Sequence, residues 1–415
     1  MRWVSALSTR PSLEAAIREV VNQAQTDLGT SPDLAVVFIS SAFASEFSRL
    51  MPLLREYLPP SLPIIGCSGN GVIGTDPSQR AQEVEGEAAL SLTLATLPDV
   101  EVHTFYLTSE SLPDPDSSPD RWVEQVGVAP ATQPHFILLA DPFGSKINDL
   151  LQGLDFAYPG SIKVGGLASG ASGNGGLFCN YQMYREGTVG VALSGNILVE
   201  TIVAQGCRPI GQPYWVTEGE RNILLELEEQ DSLSSATPSS SSRVSQKRTP
   251  LEILQDLIQS LSEEDQELAQ HSLFIGVAQN EFKQTLEQGD FLIRNLLGVD
   301  PRVGAIAIGD RIRPGQRIQF HLRDAQASAE DLEALLQRYQ KQTGEGTLKA
   351  GAFMFSCVGR GEGLYEEPNF DSRLFTTYLP GVPLSGFFCS GEIGPVGGNT
   401  FLHGYTSVFG ICRQP

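Results

Sequence analysis

The sequence predicts an α/β fold, with α+β as its variant: a two-lobe protein built from internally repeated strand–helix–strand–glycine-turn–strand units. Three observations predict it. Short apolar runs recur at Ala35–Ile39, Phe136–Ala140 and Ala352–Phe355, each of strand length. Each is followed by a partly helix-like stretch and then by a second apolar segment that ends in glycine. A serine-rich stretch divides the 415-residue chain.

The three glycine endings align. They read Ile64-Ile65-Gly66-Cys67-Ser68-Gly69-Asn70-Gly71, Lys163-Val164-Gly165-Gly166-Leu167-Ala168-Ser169-Gly170 and Leu384-Ser385-Gly386-Phe387-Phe388-Cys389-Ser390-Gly391. Set on the first glycine, each copy is G-x-x-x-x-G, with Asn70, Ser169 or Ser390 before the second glycine. A further β-like run follows each copy, at Ala88–Leu94, Val189–Leu193 and Tyr405–Ile411. Strands alternating with helices in this order give a layered α/β or α+β plan with a recurring turn.

Residues 231–250 hold eight serines and two prolines and almost nothing apolar. Such a composition cannot offset its ordering entropy by burial, so 230–250 is read as a flexible linker between lobes at 1–229 and 251–415. Pro250 suits the first position of a helix whose Leu251, Leu254, Leu257, Ile258 and Leu261 share a face. A second helix is expected over Ala329–Gln340, opened by Ser328 and Asp331 in a capping-box-like pair.

Charge narrows the function classes. With 28 Lys+Arg against 49 Asp+Glu the net charge is −21, which opposes DNA, RNA and anionic lipid as partners. No apolar run approaches the ~20 residues that span a bilayer, and the start, Met1 to Ser8, is too short and polar for a signal peptide. Cys67, Cys179, Cys207, Cys357, Cys389 and Cys412 are far apart and form no Cys-x-x-Cys, which argues for a reducing compartment. The expectation is an acidic cytoplasmic protein with neither nucleic acid nor membrane as partner.

Segments 63–74, 160–176 and 381–398 concentrate 17 of the 42 glycines. Backbone N–H groups freed in such bends can form an anion-binding nest, and a small polar side chain adds a contact. The functional reading is a ligand pocket lined by Asn70, Ser169 and Ser390; the plain one is a tight turn repeated because the fold repeats. A phosphate-binding P-loop fails, because Val72, Ala171 and Glu392 follow the second glycine where lysine is required. Gly359-Arg360-Gly361-Glu362-Gly363 lacks the dinucleotide-binding spacing.

The third copy is the richest chemically. Arg360 offers a planar fork for a carboxylate and Glu392 an acceptor for an ammonium, so the two as neighbours would complement a zwitterion such as an amino acid. The plainer alternative pairs them with each other. Cys357 and Cys389, with His403 as the local base, give a cysteine-dependent enzyme as a lesser reading, which requires a thiolate. Asp141, at the end of the second apolar run, is a further ligand candidate or a turn opener. His103, His135, His271, His321 and His403 show no metal-ligand spacing, so no metal site and no catalytic constellation is expected. One axial His or Cys leaves haem as the alternative cofactor.

Gly351 to Gly361, Pro383 to Pro395 and Leu402 to Thr406 together resemble the FIST C-terminal domain, and Phe291 to Asp300 looks like its opening half. Ile64 to Gly74 and Val164-Gly165-Gly166 resemble the FIST N-terminal domain. The resemblance implies a sensory, small-ligand-binding module of intracellular signal transduction, with amino acids as the proposed ligand class. It also implies the alternative of a haem-bound nitric oxide sensor, since some bacterial members bind haem; eukaryotic relatives are fused to an F-box. The sequence shows no stretch for an F-box, kinase, methyl-accepting or cyclase domain. Its output is therefore expected through a separate signalling protein, such as a kinase or a chemoreceptor component. The resemblance brings no settled catalytic residues.

Overall fold

Each apolar run is the first strand of a parallel pair, and the three pairs are built alike. The computed structural model describes residues 1–170, 175–229, 247–286, 289–343 and 349–415. The first repeat runs β1 (Arg2–Ser8), α1 (Leu13–Leu28), β2 (Leu34–Ser40), α2 (Phe47–Tyr57), β3 (Ile64–Gly69), β4 (Gly71–Thr75), β5 (Ala81–Glu85) and β6 (Leu90–Thr96). The second follows the same order: β7 (Val100–Leu107), α3 (Pro119–Val126), β8 (His135–Ala140), α4 (Ile147–Ala157), β9 (Lys163–Leu167), β10 (Leu177–Cys179), β11 (Gln182–Tyr184) and β12 (Thr188–Gly195). The third opens with β13 (Leu198–Ala204) and is then interrupted.

The interruption comprises β14 (Arg208–Glu220), β15 (Ile223–Glu229), α5 (Pro250–Ser260), α6 (Glu263–Ala269), β16 (Leu273–Ala278), β17 (Phe291–Asp300), β18 (Ala305–Ile308) and β19 (Arg317–Leu322). Its strands close into a barrel in the order β14-β15-β18-β17-β16-β19, filled by Ile210, Ile306, Ile318 and Phe320 with Ile253 and Leu254 of α5. The third repeat then resumes with α7 (Ala325–Thr343), β20 (Lys349–Cys357), α8 (Glu362–Tyr365), α9 (Phe370–Tyr378), β21 (Leu384–Cys389), β22 (Glu392–Val396), β23 (Asn399–His403) and β24 (Ser407–Arg413).

β2 with β3, β8 with β9, and β20 with β21 pair in parallel. The hairpin that follows each glycine bend leaves its own sheet. β4–β5 joins β21, β10–β11 joins β3, and β22–β23 joins β9. The exchange is cyclic, so the repeats are related as three equivalent parts, and each parallel pair has its open edge covered by a strand of another repeat.

β2 is buried along its whole length, which is why it reads as a continuous apolar run instead of an alternating one. One face of each sheet contributes to a shared core that includes Phe38, Leu139, Val191, Phe355 and Phe387. The other face takes its own helices: α1 and α2, α3 and α4, or α7 and α9. Phe38 stacks on Phe387 with centroids 5.1 Å apart and meets Phe355 edge-on at 6.4 Å.

The first glycine of each copy lies inside the second strand, not in the bend. Gly66, Gly165 and Gly386 sit opposite Val37, Leu138 and Met354 of the parallel partner. A Cβ on them would lie 2.1, 1.8 and 1.8 Å from the facing carbonyl oxygens. No side chain fits there, so these glycines serve close strand approach and not an anion nest.

α5 begins at Pro250, as its sequence predicts, with Thr249 and Glu252 forming a full capping box. α7 starts a turn earlier than expected. Asp324 caps it, accepting the Ala327 N–H at 2.6 Å, while Ser328 donates to the Gly206 carbonyl and Asp331 accepts the Gly206 N–H.

The chain forms two compact units, but they are cut elsewhere than at the serine-rich stretch. One comprises Met1–Ala204 with Leu332–Pro415, the other Gln205–Asp331. The reason is pairing: β13 belongs to the third repeat through its ladder with β24, and the barrel draws strands from both sides of the serines. Residues 230–246, most of the expected linker, lie outside the described residues, as does Gly173.

Candidate functional site

The three bends do meet. The Asn70 N–H donates to Ser169 Oγ at 2.7 Å, and Ser169 Oγ donates to the Phe388 carbonyl. The Ser390 N–H donates to the Leu167 carbonyl at 3.0 Å, and the Leu167 N–H to the Gly391 carbonyl at 2.8 Å. Ser169 is buried at the junction, whereas Asn70 and Ser390 are exposed. Backbone groups and the Ser169 hydroxyl thus satisfy one another at the junction, and Leu167 also lines a cavity at the start of α4.

Arg360 and Glu392 are also near one another, yet they bind a peptide group and not each other. The Arg360 Nη1 donates to the Tyr405 carbonyl at 3.4 Å, and the Thr406 N–H donates to Glu392 Oε2 at 3.0 Å, so they grip the two ends of one peptide unit. The Arg360 fork is taken by Asp371: Nε to Oδ2 is 2.8 Å and Nη2 to Oδ1 3.1 Å, with both side chains fully buried. Tyr365 closes the group, accepting from Arg360 Nη2 at 2.6 Å and donating to Asp371 Oδ1 at 2.9 Å. Burial pushes the Tyr365 hydroxyl up, so it stays a donor at neutral pH. A guanidinium committed this way has no fork left for a ligand carboxylate, which corrects the zwitterion reading at this pair.

Ser40 and Cys357 end the first strand of their pairs, Asp141 directly follows its own, and the three do the same structural work. Their N–H groups donate to the carbonyls of Ala89, Gly187 and Thr406. Each side chain accepts from the residue two further on: Ala42 at 3.3 Å, Phe143 at 2.9 Å and Gly359 at 3.5 Å. Asp141 also takes the Gly187 N–H at 2.5 Å, so its carboxylate is an anchor for the loop and not a ligand group. Cys389 is buried beneath Gly166, whose Cβ would lie 2.4 Å from its sulfur. Burial pushes the Cys389 thiol well up, and the Glu392 carboxylate adds to this, which opposes a thiolate nucleophile.

Two cavities lie at helix starts, and a third, of ≈ 340 Å³, is lined by Arg10 and by Ala15, Arg18, Glu19 and Asn22 of α1. In each sheet the second strand of the exchanged hairpin passes over the start of the helix between the parallel strands. The registers are equivalent: Met183 lies opposite Phe178 and that opposite Gly66; Leu402 opposite Ile393 and Gly165; Glu83 opposite Ile73 and Gly386. At Met183 there is a cavity of ≈ 240 Å³ shared with Ser45, Ser48 and Arg185. At Leu402 there is one of ≈ 390 Å³, lined by Phe143, Ser145, Lys146, Asn148 and Asp149 among others.

At Glu83 the equivalent place is filled by the buried ionic group. Glu83 Oε1 accepts the Ser372 N–H at 2.6 Å, and its own N–H donates to Asn369 Oδ1 at 2.5 Å. Burial, with Asp371 beside it, raises the Glu83 carboxyl to about 7. Glu85 takes the Glu362 N–H at 2.9 Å, and Gly361, at φ +63°, leaves the room: its Cβ would lie 2.1 Å from Glu85 Oε1.

Comparison with known proteins places this arrangement. The FIST N domain matches residues 33–230 and the FIST C domain residues 250–395. An uncharacterized protein of Mycobacterium tuberculosis (strain H37Rv) is 33% identical over 414 residues, 98% of each chain. This chain belongs to the FIST family. An uncharacterized protein of Mycobacterium bovis is 32% identical over 415 residues, 98% of this chain and 97% of its own. The human F-box only protein 22 is similar over a short stretch, 38% identical over 77 residues, 15% of this chain and 19% of its own.

FIST domains are associated with sensory signal transduction. Among the described residues of this FIST protein no helix is long and apolar enough to cross a membrane. A haem would need an imidazole or thiolate facing open space. His403 is buried in the β22–β23 ladder with Nε2 3.0 Å from the Gly394 carbonyl, and none of the three described cavities is lined by histidine or cysteine. His403 and these three cavities therefore do not fit the group, while His103 and His271 are exposed. Glu83, Tyr365 and Asp371 were not singled out from the sequence; the only signal is two acids alternating with Val84 on a strand. Ser145 and Lys146 before α4, and Asn148 and Asp149 in its first turn, carried no signal in the sequence.

Proposed function

We propose that the chain is a sensory module that binds a small polar, amino-acid-like metabolite and reports the bound state to a separate signalling protein, such as a kinase or a chemoreceptor component. The observation that carries this reading is the ≈ 390 Å³ cavity at the start of α4. Its volume lies within the range of small-molecule sites, roughly 300–1,000 Å³. Its walls combine apolar Phe143, Leu167 and Leu402 with polar Ser145, Lys146, Asn148 and Asp149. Opposite charges on Lys146 and Asp149 suit a ligand that carries both signs. In a chain of net charge −21 a zwitterion also escapes the repulsion that a simple anion meets.

Thermal unfolding of the full chain against a panel of the common amino acids and their close derivatives tests the reading. A ligand at about 100 times its Kd stabilises the folded state by about 2.7 kcal/mol, a rise of several degrees. One or a few related compounds should give that rise. A flat panel contradicts the reading.

A further inference from the structure

We propose that the cavity at the start of α4 receives the carboxylate of a small molecule, at the place that the Glu83 side chain fills at α9. The inference deepens the sensor reading above and rests on it for the class of ligand.

α4 and α9 are the same helix in successive repeats. Each follows the first strand of a parallel pair, and each begins after a left-handed residue with no side-chain cap: Lys146 at φ 46° and Asn369 at φ 61°. They also end alike, at Tyr158 and Leu379, both with φ −128°. At α9 a carboxylate from the exchanged hairpin supplies what the helix start lacks, since Glu83 Oε1 takes the Ser372 N–H. At α4 the equivalent hairpin position is Leu402, which cannot accept. The Asp149 N–H, equivalent to that of Ser372, turns back on the Lys146 carbonyl at 3.0 Å. Among the described residues the N–H groups of Ile147 and Asn148 make no hydrogen bond. A helix start in this state favours an anion.

A second observation is independent of the helix. Ser145 is 4% exposed, lines the same cavity, and its hydroxyl makes no hydrogen bond among the described residues. Its oxygen is not among the buried polar atoms left without a partner, so it keeps contact with the water of the cavity, where a polar ligand group can take that water's place. Lys146 adds a positive charge at the rim. Asp149, on the same wall, opposes a bare anion and would pair with an ammonium on the same ligand.

The test is a titration of the ¹⁵N-labelled full chain with sodium acetate, read at the amides of Ile147 and Asn148, with sodium chloride at matched ionic strength as control. Saturable shifts with acetate and none with chloride are expected. Leu402→Glu supplies an internal carboxylate where Glu83 stands at α9, and should weaken acetate binding at least 10-fold. Ser145→Ala should weaken it about 3-fold or more, and it decides the matter if Leu402→Glu fails to fold. Shifts that never saturate, that chloride reproduces, or that both folded variants retain unchanged would overturn the proposal. Its failure is distinct from that of the sensor reading. A metabolite that raises the melting temperature but shifts amides elsewhere removes this site alone, and a flat metabolite panel with saturable acetate binding removes the sensor reading alone.

Discussion

The Glu83 carboxylate of the first repeat accepts the Ser372 N–H of the third at 2.6 Å, so one repeat caps the helix of another. Burial, and next to it the Asp371 carboxylate, raises this carboxyl from an ordinary 4.5 to about 7. The folded protein therefore keeps a proton that the unfolded chain has released between these values. Stability falls as pH rises through the window from about 4.5 to about 7, and the full cost persists above it. Its size is on the order of 3 kcal/mol. Glu83→Gln should flatten the slope of unfolding free energy between pH 5 and 7, measured by urea titration; an unchanged slope would contradict the assignment.

Gly386→Ala should destabilise by about 3 kcal/mol or more, since a methyl group cannot be placed 1.8 Å from the Met354 carbonyl oxygen without parting two strands. Gly381→Ala, at an open position with φ 76°, is the control and should cost only about 1 kcal/mol. Equal costs in chemical denaturation would show that the parallel pair tolerates spreading.

Removing one partner of the Arg360–Asp371 pair leaves the other charge buried, at a cost of about 3–5 kcal/mol. Arg360→Ala and Asp371→Ala should each lower the unfolding midpoint strongly, and the double variant should lose less than the sum. Additive losses would mean that the two charges do not act as a pair.

All six cysteines are buried as free thiols, and burial raises those of Cys67 and Cys389 well above the ordinary value. Iodoacetamide at pH 7.5 should label less than one thiol in the native protein during the time that labels every thiol in urea. A single fast-reacting thiol, located by mass spectrometry, would revive the cysteine-dependent enzyme reading.

The repeats were legible because the parallel strands are covered on both faces, so Ala35–Ile39 and its counterparts stand out as uninterrupted apolar runs. The spacing of Gly66, Gly165 and Gly386 was legible too, but not its cause, which is a carbonyl on a neighbouring strand. The barrel was hidden. Strands such as Arg208–Glu220 are half-exposed, and the serine-rich stretch falls within the unit that it was expected to separate from its neighbour. Arg360 was found by its chemistry, yet its partner Asp371 was not, because nothing local marks a carboxylate that a helix start will bury. Glu83 lies 289 residues from Ser372, and only the exchange of hairpins between repeats brings them together.

The most direct measurement is hydrogen exchange over the whole chain, with and without the amino acid that stabilises it most. Slowed exchange concentrated in peptides that cover residues 142–150 and 400–404 is the predicted result. Protection confined to residues 205–331, or spread evenly with no maximum at the start of α4, would contradict the account.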